Sequence, residues 1–363
     1  MTETNQPPMR FIRQDVQSMH AYAVQDATGM VKLDAMENPF SLPAELQRSL
    51  GERLGRVAIN RYPGRQVEDL KAELGRHVDL PAGYGLMLGN GSDELISLLA
   101  MACDVPGASI LAPLPGFVMY AMSAQLQGLA FHGVPLTPDF ELDEAAMLTA
   151  MRAHQPAITY IAYPNNPTAN LWDATTIHRL IAEAATYGGL VVMDEAYQPF
   201  SSRSWLDEIR AQPQANAHVL LMRTLSKFGL AGVRIGYMLG PQALIAEVDK
   251  LRPPYNVSVL NAECASFALE HAPVFAEQAA AICEQRAVLL QALGRMLGVT
   301  VFPSEANMVL VRVHGAGASD VDAAQRCFQA LKARRILVKN VSKMHPLLSN
   351  CLRLTVGTPE ETA

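Results

Sequence analysis

The sequence predicts an α/β protein with a large domain built on a mostly parallel central sheet covered by helices, and a smaller C-terminal α/β domain. Three observations lead there. From about Tyr84 to about Leu251, short apolar runs alternate with amphipathic helical stretches, the order expected when helices cover both faces of a sheet. The runs Ile158 to Ala162, Leu190 to Met193 and Val219 to Met222 are continuously apolar, as strands buried on both sides are. After Leu251 the pattern changes, and a long helix-favouring stretch leads into three further apolar runs. The expected organisation is an arm at 1–40, a large domain at 41–255 and a small domain at 256–363.

Taken in order, the first forty residues carry no strong periodicity, so the arm needs another surface to pack on, a dimer partner being one candidate. A strand is expected at Leu86 to Leu88, then a helix whose apolar face includes Leu95, Leu98 and Leu99. Val105 to Pro138 has no Asp, Glu, Lys or Arg and is long enough to span a bilayer. Pro106, Gly107, Pro113, Pro115, Gly116, Gln125, Gln127 and His132 interrupt it, so it reads as a buried strand, a turn and a buried helix. Ile177, Leu180, Ile181 and Ala184 recur at helical spacing and form one apolar face. Beyond Pro253 and Pro254 come a helix from about Val259 to Leu297, a strand at Met308 to Val313, a helix from about Asp320 to Arg335, and strands at Ile336 to Val338 and Leu352 to Val356.

Composition narrows the function. Of 363 residues, 29 are Lys or Arg and 35 are Asp or Glu, for a formal charge of -6, which argues against a nucleic-acid partner. Half the residues are hydrophobic, and a chain of this length buries about 75% of its surface on folding. Cys103, Cys264, Cys283, Cys327 and Cys351 are odd in number and widely spaced, and read as reduced thiols. Met1 to Arg13 is polar, without the apolar stretch of a signal peptide, so a cytoplasmic location is expected. The nine histidines include no His-x-x-x-His pair, and no metal is expected. The Leu- and Ala-rich helical faces are those that cover the sheet, so no membrane partner is expected.

Three strands end in polar clusters: Tyr163-Pro-Asn-Asn-Pro-Thr168, Asp194-Glu-Ala-Tyr197 and Arg223-Thr-Leu-Ser-Lys227. In open parallel sheets, ligands bind beyond the carboxyl ends of the strands, so an acid, a phenol, an amide, a lysine and two arginines are expected around that crevice. Asp194 directly follows an apolar run and would be strongly penalised by burial without a cationic partner. Alone, Asp194 reads as a helix cap and Lys227 as a solvated lysine. Together they meet the need of a Schiff-base lysine and a carboxylate for a pyridinium nitrogen. Gly89-Asn-Gly-Ser-Asp-Glu94 opens a helix whose unpaired N–H groups can receive a phosphate, with Ser226 and Arg234 as further donors. An ordinary N-cap explains the same residues.

With these residues the chain resembles the fold-type I, pyridoxal-phosphate-dependent aminotransferases, and within them the histidinol-phosphate aminotransferase family over nearly its full length. Seven segments carry the resemblance: Leu33-Asp-Ala-Met-Glu-Asn-Pro-Phe40, Arg61-Tyr-Pro63, Gly89 to Ile96, Pro164-Asn-Asn-Pro-Thr168, Asp194-Glu-Ala-Tyr197, Thr224 to Arg234 and Cys351 to Pro359. The resemblance implies Lys227 as the Schiff-base lysine and proton carrier, and Asp194 on the ring nitrogen. It further implies Asn166 and Tyr197 on the phenolic oxygen, Phe117 stacked on the ring, and Ser92, Asp93, Thr224, Ser226 and Arg234 around the cofactor. Tyr62 would reach the phosphate of a neighbouring subunit, making a homodimer with shared sites. Arg353 would bind the substrate's anionic end, with Tyr22, Asn38, Asn307 and Lys339 lining its pocket.

The sequence also departs from the family's pattern. Ala169 stands where a glycine usually follows Asn-Pro-Thr, and the step from Lys227 to Arg234 is one residue shorter than in many relatives. Lys339 replaces a second anion-binding arginine, keeping the charge but losing the bidentate fork. The chain stops soon after Thr358-Pro-Glu-Glu361, where relatives continue into a further helix, so a shortened C-terminus is expected. The function implied is transfer of an amino group from L-histidinol phosphate to 2-oxoglutarate. The alternatives are an aromatic aminotransferase or an L-threonine phosphate decarboxylase on the same scaffold, since fold alone does not separate them. A regulatory cofactor-binding module would need a DNA-binding domain, for which nothing before Leu33 is long or basic enough.

Overall fold

The computed structural model describes residues 10–19, 25–315, 320 and 322–363. Twelve strands among them form two sheets: β1 Val31–Leu33, β2 Tyr84–Gly89, β3 Ser109–Leu114, β4 Ala130–Pro135, β5 Ile158–Ala162, β6 Leu190–Asp194, β7 Val219–Thr224, β8 Gly236–Pro241, β9 Val299–Val301, β10 Met308–Val313, β11 Ile336–Asn340 and β12 Cys351–Thr355. The larger sheet has the order β2-β8-β7-β6-β5-β3-β4, and the smaller the order β1-β11-β12-β10-β9. In the larger sheet β8 runs antiparallel to both its neighbours while the remaining pairings are parallel. The carboxyl ends of β2, β3, β5, β6 and β7 therefore open on the same edge.

Burial follows the apolar runs. Every residue of β5 and β7 is buried, and β6 is buried from Val191 to Asp194. Helix Ala174–Tyr187 buries Ile177, Leu180, Ile181 and Ala184, the face its spacing predicts. Asp173 starts it by accepting a hydrogen bond from Thr176 N–H, and Gly188 ends it at a φ of 75°, a left-handed conformation that glycine adopts without steric penalty. The uncharged segment holds strand β3 and the helix Val118–Gln127 as expected, and also the edge strand β4. No described helix is long and apolar enough to cross a membrane. All five cysteines are free thiols.

Two expectations change. The stretch from Val259 to Leu297 is two helices, Val259–Glu270 and Ala272–Gly294. They are divided where Pro273 enters the first turn of the second, a position proline tolerates because no intrahelical N–H is needed there. The arm also finds partners within its own chain. Strand β1 pairs in parallel with β11, Val31 opposite Ile336, and Arg13 donates to the carbonyls of Leu126 and Gln125 at 2.6 and 2.9 Å. A three-residue strand is too short for a period of two to show.

One backbone approach fixes the site's floor. Gly236 of β8 lies opposite Gly89, and a Cβ there would stand 2.5 Å from Gly91 C and 2.6 Å from Ser92 N. Only a residue without a side chain lets the Gly89–Ser92 turn lie on β8. Gly236→Ala is expected to destabilise the protein by about 1–3 kcal/mol, the usual range for overpacking a dense interior, and to weaken binding at that turn. Chemical denaturation checks the first effect. An unchanged midpoint would show that the turn yields.

Candidate active site

A cavity of about 330 Å³ lies beyond the carboxyl ends of the large sheet, within the size range of small-molecule sites. Each strand end delivers side chains to it: Asn166 follows β5, Asp194 closes β6 with Tyr197 just beyond, and Thr224 ends β7 ahead of Ser226 and Lys227. Ser92 and Asp93 enter from the first turn of helix Ser92–Ala102, Phe117 from the turn after β3, and Arg234 from the segment before β8.

Asp194 is buried, and burial pushes its carboxyl up to about 6. Its oxygens accept hydrogen bonds from Tyr120 Oη at 2.6 Å and from Ala196 N–H at 3.1 Å. Both donors are neutral, and among the described residues no cationic side chain hydrogen-bonds it, so the carboxylate is held without being neutralised. Tyr197 receives a hydrogen bond from Asn166 Nδ2 at 2.9 Å, and Arg353 Nη1 donates to Asn166 Oδ1 at 2.7 Å. Burial raises the Tyr197 hydroxyl's pKa, and the Arg353 charge opposes the rise.

Lys227 follows β7 in a short turn with Gly229 at a φ of 138°. Its Nζ donates to Ala35 O at 3.0 Å. Enclosure by protein, and then the nearby Arg353 charge, lower its pKa from 10.5 to about 8, so a useful fraction is the free amine near neutrality. On the opposite wall Arg234 Nη1 lies 3.3 Å from Ser226 Oγ, and Nη2 lies 3.4 Å from Asp93 Oδ2. With the amides of the helix that begins at Ser92, they make an anion cradle. Arg234 holds a φ of 57°, a strained conformation for a side-chain-bearing residue. Despite the shortened step from Lys227, its guanidinium reaches the cradle.

Other expected residues lie apart. Arg223 does not face the cavity. Its Nε and Nη2 bond Glu195 Oε2 at 3.0 and 2.8 Å in a buried pair, because neighbouring residues of a strand point to opposite faces. Asn38 bonds Gln278, and Asn307 Nδ2 donates to Met36 O at 3.0 Å, so both hold backbone or helix in place and neither lines the cavity. Arg353 stands behind Asn166, opposite Lys339 across the β11–β12 pairing. Tyr62 is 78% exposed and stacks on Tyr255 at 4.5 Å, away from the cavity. Tyr22 lies outside the described residues. Ala169 holds a φ of 66°, the conformation in which relatives' glycine is free of strain.

The sequence reading missed Tyr120, Ala35 and Glu37, all of which line the cavity. Tyr120 sits three residues after Phe117, one helical turn along the same face, which is the signal that would have found it. Ala35 and Glu37 reach the cavity through the pairing of β1 and the hydrogen bonds of Met36 to Thr355 and Asn307, contacts distant in sequence.

The family model for aminotransferase class I and II matches residues 28–363. The chain belongs to the class I and II aminotransferases. Within them it is 67% identical to "Histidinol-phosphate aminotransferase" of Methylibium petroleiphilum, over 97% of this chain and 92% of the relative. It is 65% identical to the protein of that name from Polaromonas naphthalenivorans, over 98% and 94%. The fold is shared with the histidinol-phosphate aminotransferase of Sinorhizobium meliloti in complex with pyridoxal-5'-phosphate, at a TM-score of 0.84 and 24% identity, covering 98% of this chain and 95% of that one.

Because Lys227 is unprotonated more readily in the folded than in the unfolded chain, its desolvation destabilises the protein at pH 7. The unfolded chain holds more protons between about pH 8 and 10.5, so this penalty fades as pH rises through that window. Lys227→Met is therefore expected to raise the melting temperature at pH 7, and the advantage should shrink by pH 10.5. A constant difference in Tm across that range would contradict the lowered amine.

Proposed function

We propose that the protein is a pyridoxal 5'-phosphate-dependent aminotransferase that converts L-histidinol phosphate and 2-oxoglutarate into imidazole acetol phosphate and L-glutamate, a step of histidine biosynthesis. The observation that carries this reading is the meeting, in a single cavity, of a buried carboxylate held by neutral donors, a lysine of lowered pKa and a helix start with Ser226 and Arg234 beside it. The near full-length identity to proteins of that name supports the substrate assignment.

The residues suit the cofactor. Asp194, which among the described residues hydrogen-bonds no cationic side chain, would hold the protonated ring nitrogen; the Ser92 turn, Ser226 and Arg234 would hold the phosphate; Asn166 and Tyr197 would bond the phenolic oxygen; Phe117 would flank the ring, and Thr224 would also contact the cofactor. When bound, the cofactor supplies an electron sink that stabilises negative charge at the substrate Cα. Lys227, as a free amine, takes the proton from Cα. Arg353 would orient the anionic end of each substrate in turn, because its planar fork fits phosphate and carboxylate alike, with Lys339 opposite it adding charge, while Asn38 and Asn307 would support that end of the site from behind the cavity wall. Exposed Tyr62, Tyr255 and Ile59 fit a homodimer in which Tyr62 serves the neighbouring site. The division at 40 and 255, and a cytoplasmic location, belong to the same proposal.

The test is a half-reaction followed by absorbance. Cofactor-loaded protein mixed with L-histidinol phosphate should pass rapidly to the amine form of the cofactor, while unphosphorylated L-histidinol and L-phenylalanine react slowly. Lys227→Ala should stay folded and fail to turn over. Equal rates with phenylalanine would transfer the assignment to an aromatic aminotransferase, and release of carbon dioxide from threonine phosphate would transfer it to a decarboxylase.

Arg353 joins two partners at once, Asn166 Oδ1 and Asp34 O, at 2.7 Å each. Arg353→Lys keeps the charge and loses the fork. A fall in kcat/KM of about 10- to 100-fold is expected, the worth of a charged hydrogen bond, with the larger effect on the phosphorylated substrate. Steady-state kinetics with both substrates would measure it, and unchanged kinetics would remove Arg353 from the site.

A further inference from the structure

Asp194 sits among groups that push its proton affinity upward. Burial is the largest, and the negative charges of Asp93 and Glu195 add to it. Lys227 and Arg234 line other walls of the cavity with Tyr120, on the helix after β3, and Tyr197, in the turn after β6, while Tyr160 of β5 lies near Asp194 without lining the cavity. A carboxylate so placed tends to take up a proton and lose the charge that a cationic ring nitrogen requires.

Tyr120 opposes this. It is buried, with an exposure of 2%, and its hydroxyl donates to Asp194 Oδ2 at 2.6 Å. The ring is locked from two sides: it stacks on Tyr160 with centroids 4.2 Å apart and planes 7° from parallel, and meets the edge of Phe117 at 5.6 Å. Among the described residues the buried Tyr160 hydroxyl finds no hydrogen-bond partner, so its contribution at this point is its ring face. The other oxygen of Asp194 is fixed by Ala196 N–H. A lysine or arginine in place of Tyr120 would also stabilise the carboxylate, but would neutralise it and compete with a cationic ligand.

We propose that Tyr120 is a positioning residue, which keeps Asp194 ionised and oriented toward the cavity through a neutral hydrogen bond, leaving its charge for the cofactor's ring nitrogen. This rests on the cofactor reading above. Burial and the adjacent Asp194 charge hold the Tyr120 hydroxyl's pKa well above its usual value, so the donor keeps its proton across the working range.

The test is Tyr120→Phe, which removes one oxygen and keeps the ring stack. Two measurements are made. In the first, pyridoxal 5'-phosphate is titrated into the cofactor-free protein from pH 5 to 9. The variant should bind about tenfold more weakly at pH 8, the worth of one hydrogen bond to a charged group. Its acid limb should move to higher pH than that of the wild type. The second is the melting temperature of the cofactor-free protein against pH. With Asp194 raised from 3.8 to about 6, the folded state holds the extra proton, so its stabilisation is complete below pH 3.8 and is lost as pH rises through 6. In Tyr120→Phe that loss should extend to higher pH.

Asp194→Asn provides the control: adding Tyr120→Phe to it should leave the pH dependence unmoved. The same shift in that background, or no shift in Tyr120→Phe alone, overturns the role of Tyr120. Should the single variant fail to fold, Tyr120→Gln, which keeps a neutral donor, is expected to fold and to retain the wild-type acid limb more closely than Tyr120→Leu; equal behaviour of the two overturns the proposal. Failure of the wild type to bind the cofactor overturns the cofactor reading itself, while the melting curves still decide whether Tyr120 governs the Asp194 proton.

Discussion

A carboxylate carried to the end of a central buried strand, and held there by neutral donors, is the constraint on which the site depends. Asp194 is buried because β6 lies between β5 and β7, with Met222 opposite it on β7. Such burial is unfavourable for an ion, and the surrounding structure meets that penalty with hydrogen bonds from Tyr120 and Ala196. An ionised carboxylate at that wall favours a cationic group beside it. The anion cradle at Ser92, Ser226 and Arg234 has the opposite preference on another wall. A ligand with a protonated ring nitrogen and a phosphate satisfies both, and neither wall alone would specify it.

The same strand ends show why parallel sheets host such chemistry. Asp194 and Glu195 are consecutive residues with opposite tasks. Asp194 faces the cavity, while Glu195 turns away to pair with Arg223 and to accept a bond from Trp205 N–H. That buried pair ties the ends of β6 and β7 together just where the acid and the lysine segment leave the sheet. Breaking one partner of such a pair leaves an unpaired buried charge, so the pair fixes the spacing of functional groups that it never touches.

Much of this was legible in the sequence because short apolar runs followed by polar residues leave little freedom: β5, β6 and β7 lie where their apolarity places them, and Asp194, Tyr197 and Lys227 follow from them. What was not legible came from contacts distant in sequence. Tyr120 was hidden in a helix that reads as uniformly apolar. The partner of Arg223 depends on which face of a strand it occupies at the sheet's edge, and on Ser204 and Trp205 lying nearby. Strand β1 is three residues long, and its place beside β11 depends on a pairing more than 300 residues away in the chain. The break at His271 hinges on Pro273, which a helical pattern tolerates at the start of a helix as readily as it forbids it inside one.

Strand β1 belongs to the small sheet, yet the residues that follow it, Ala35 to Glu37, form part of the cavity wall, and the Ala35 carbonyl holds the amine of Lys227. The lysine's hydrogen-bond partner thus follows a strand of the small sheet, while the lysine itself follows a strand of the large one. The bond that places the amine therefore depends on how the two sheets pack together and not on the large sheet alone. Thr355 Oγ1, which accepts a bond from Met36 N–H, and Asn307, which donates to Met36 O, tie that segment to β12 and to the start of β10, so the small sheet sets where the lysine's acceptor stands.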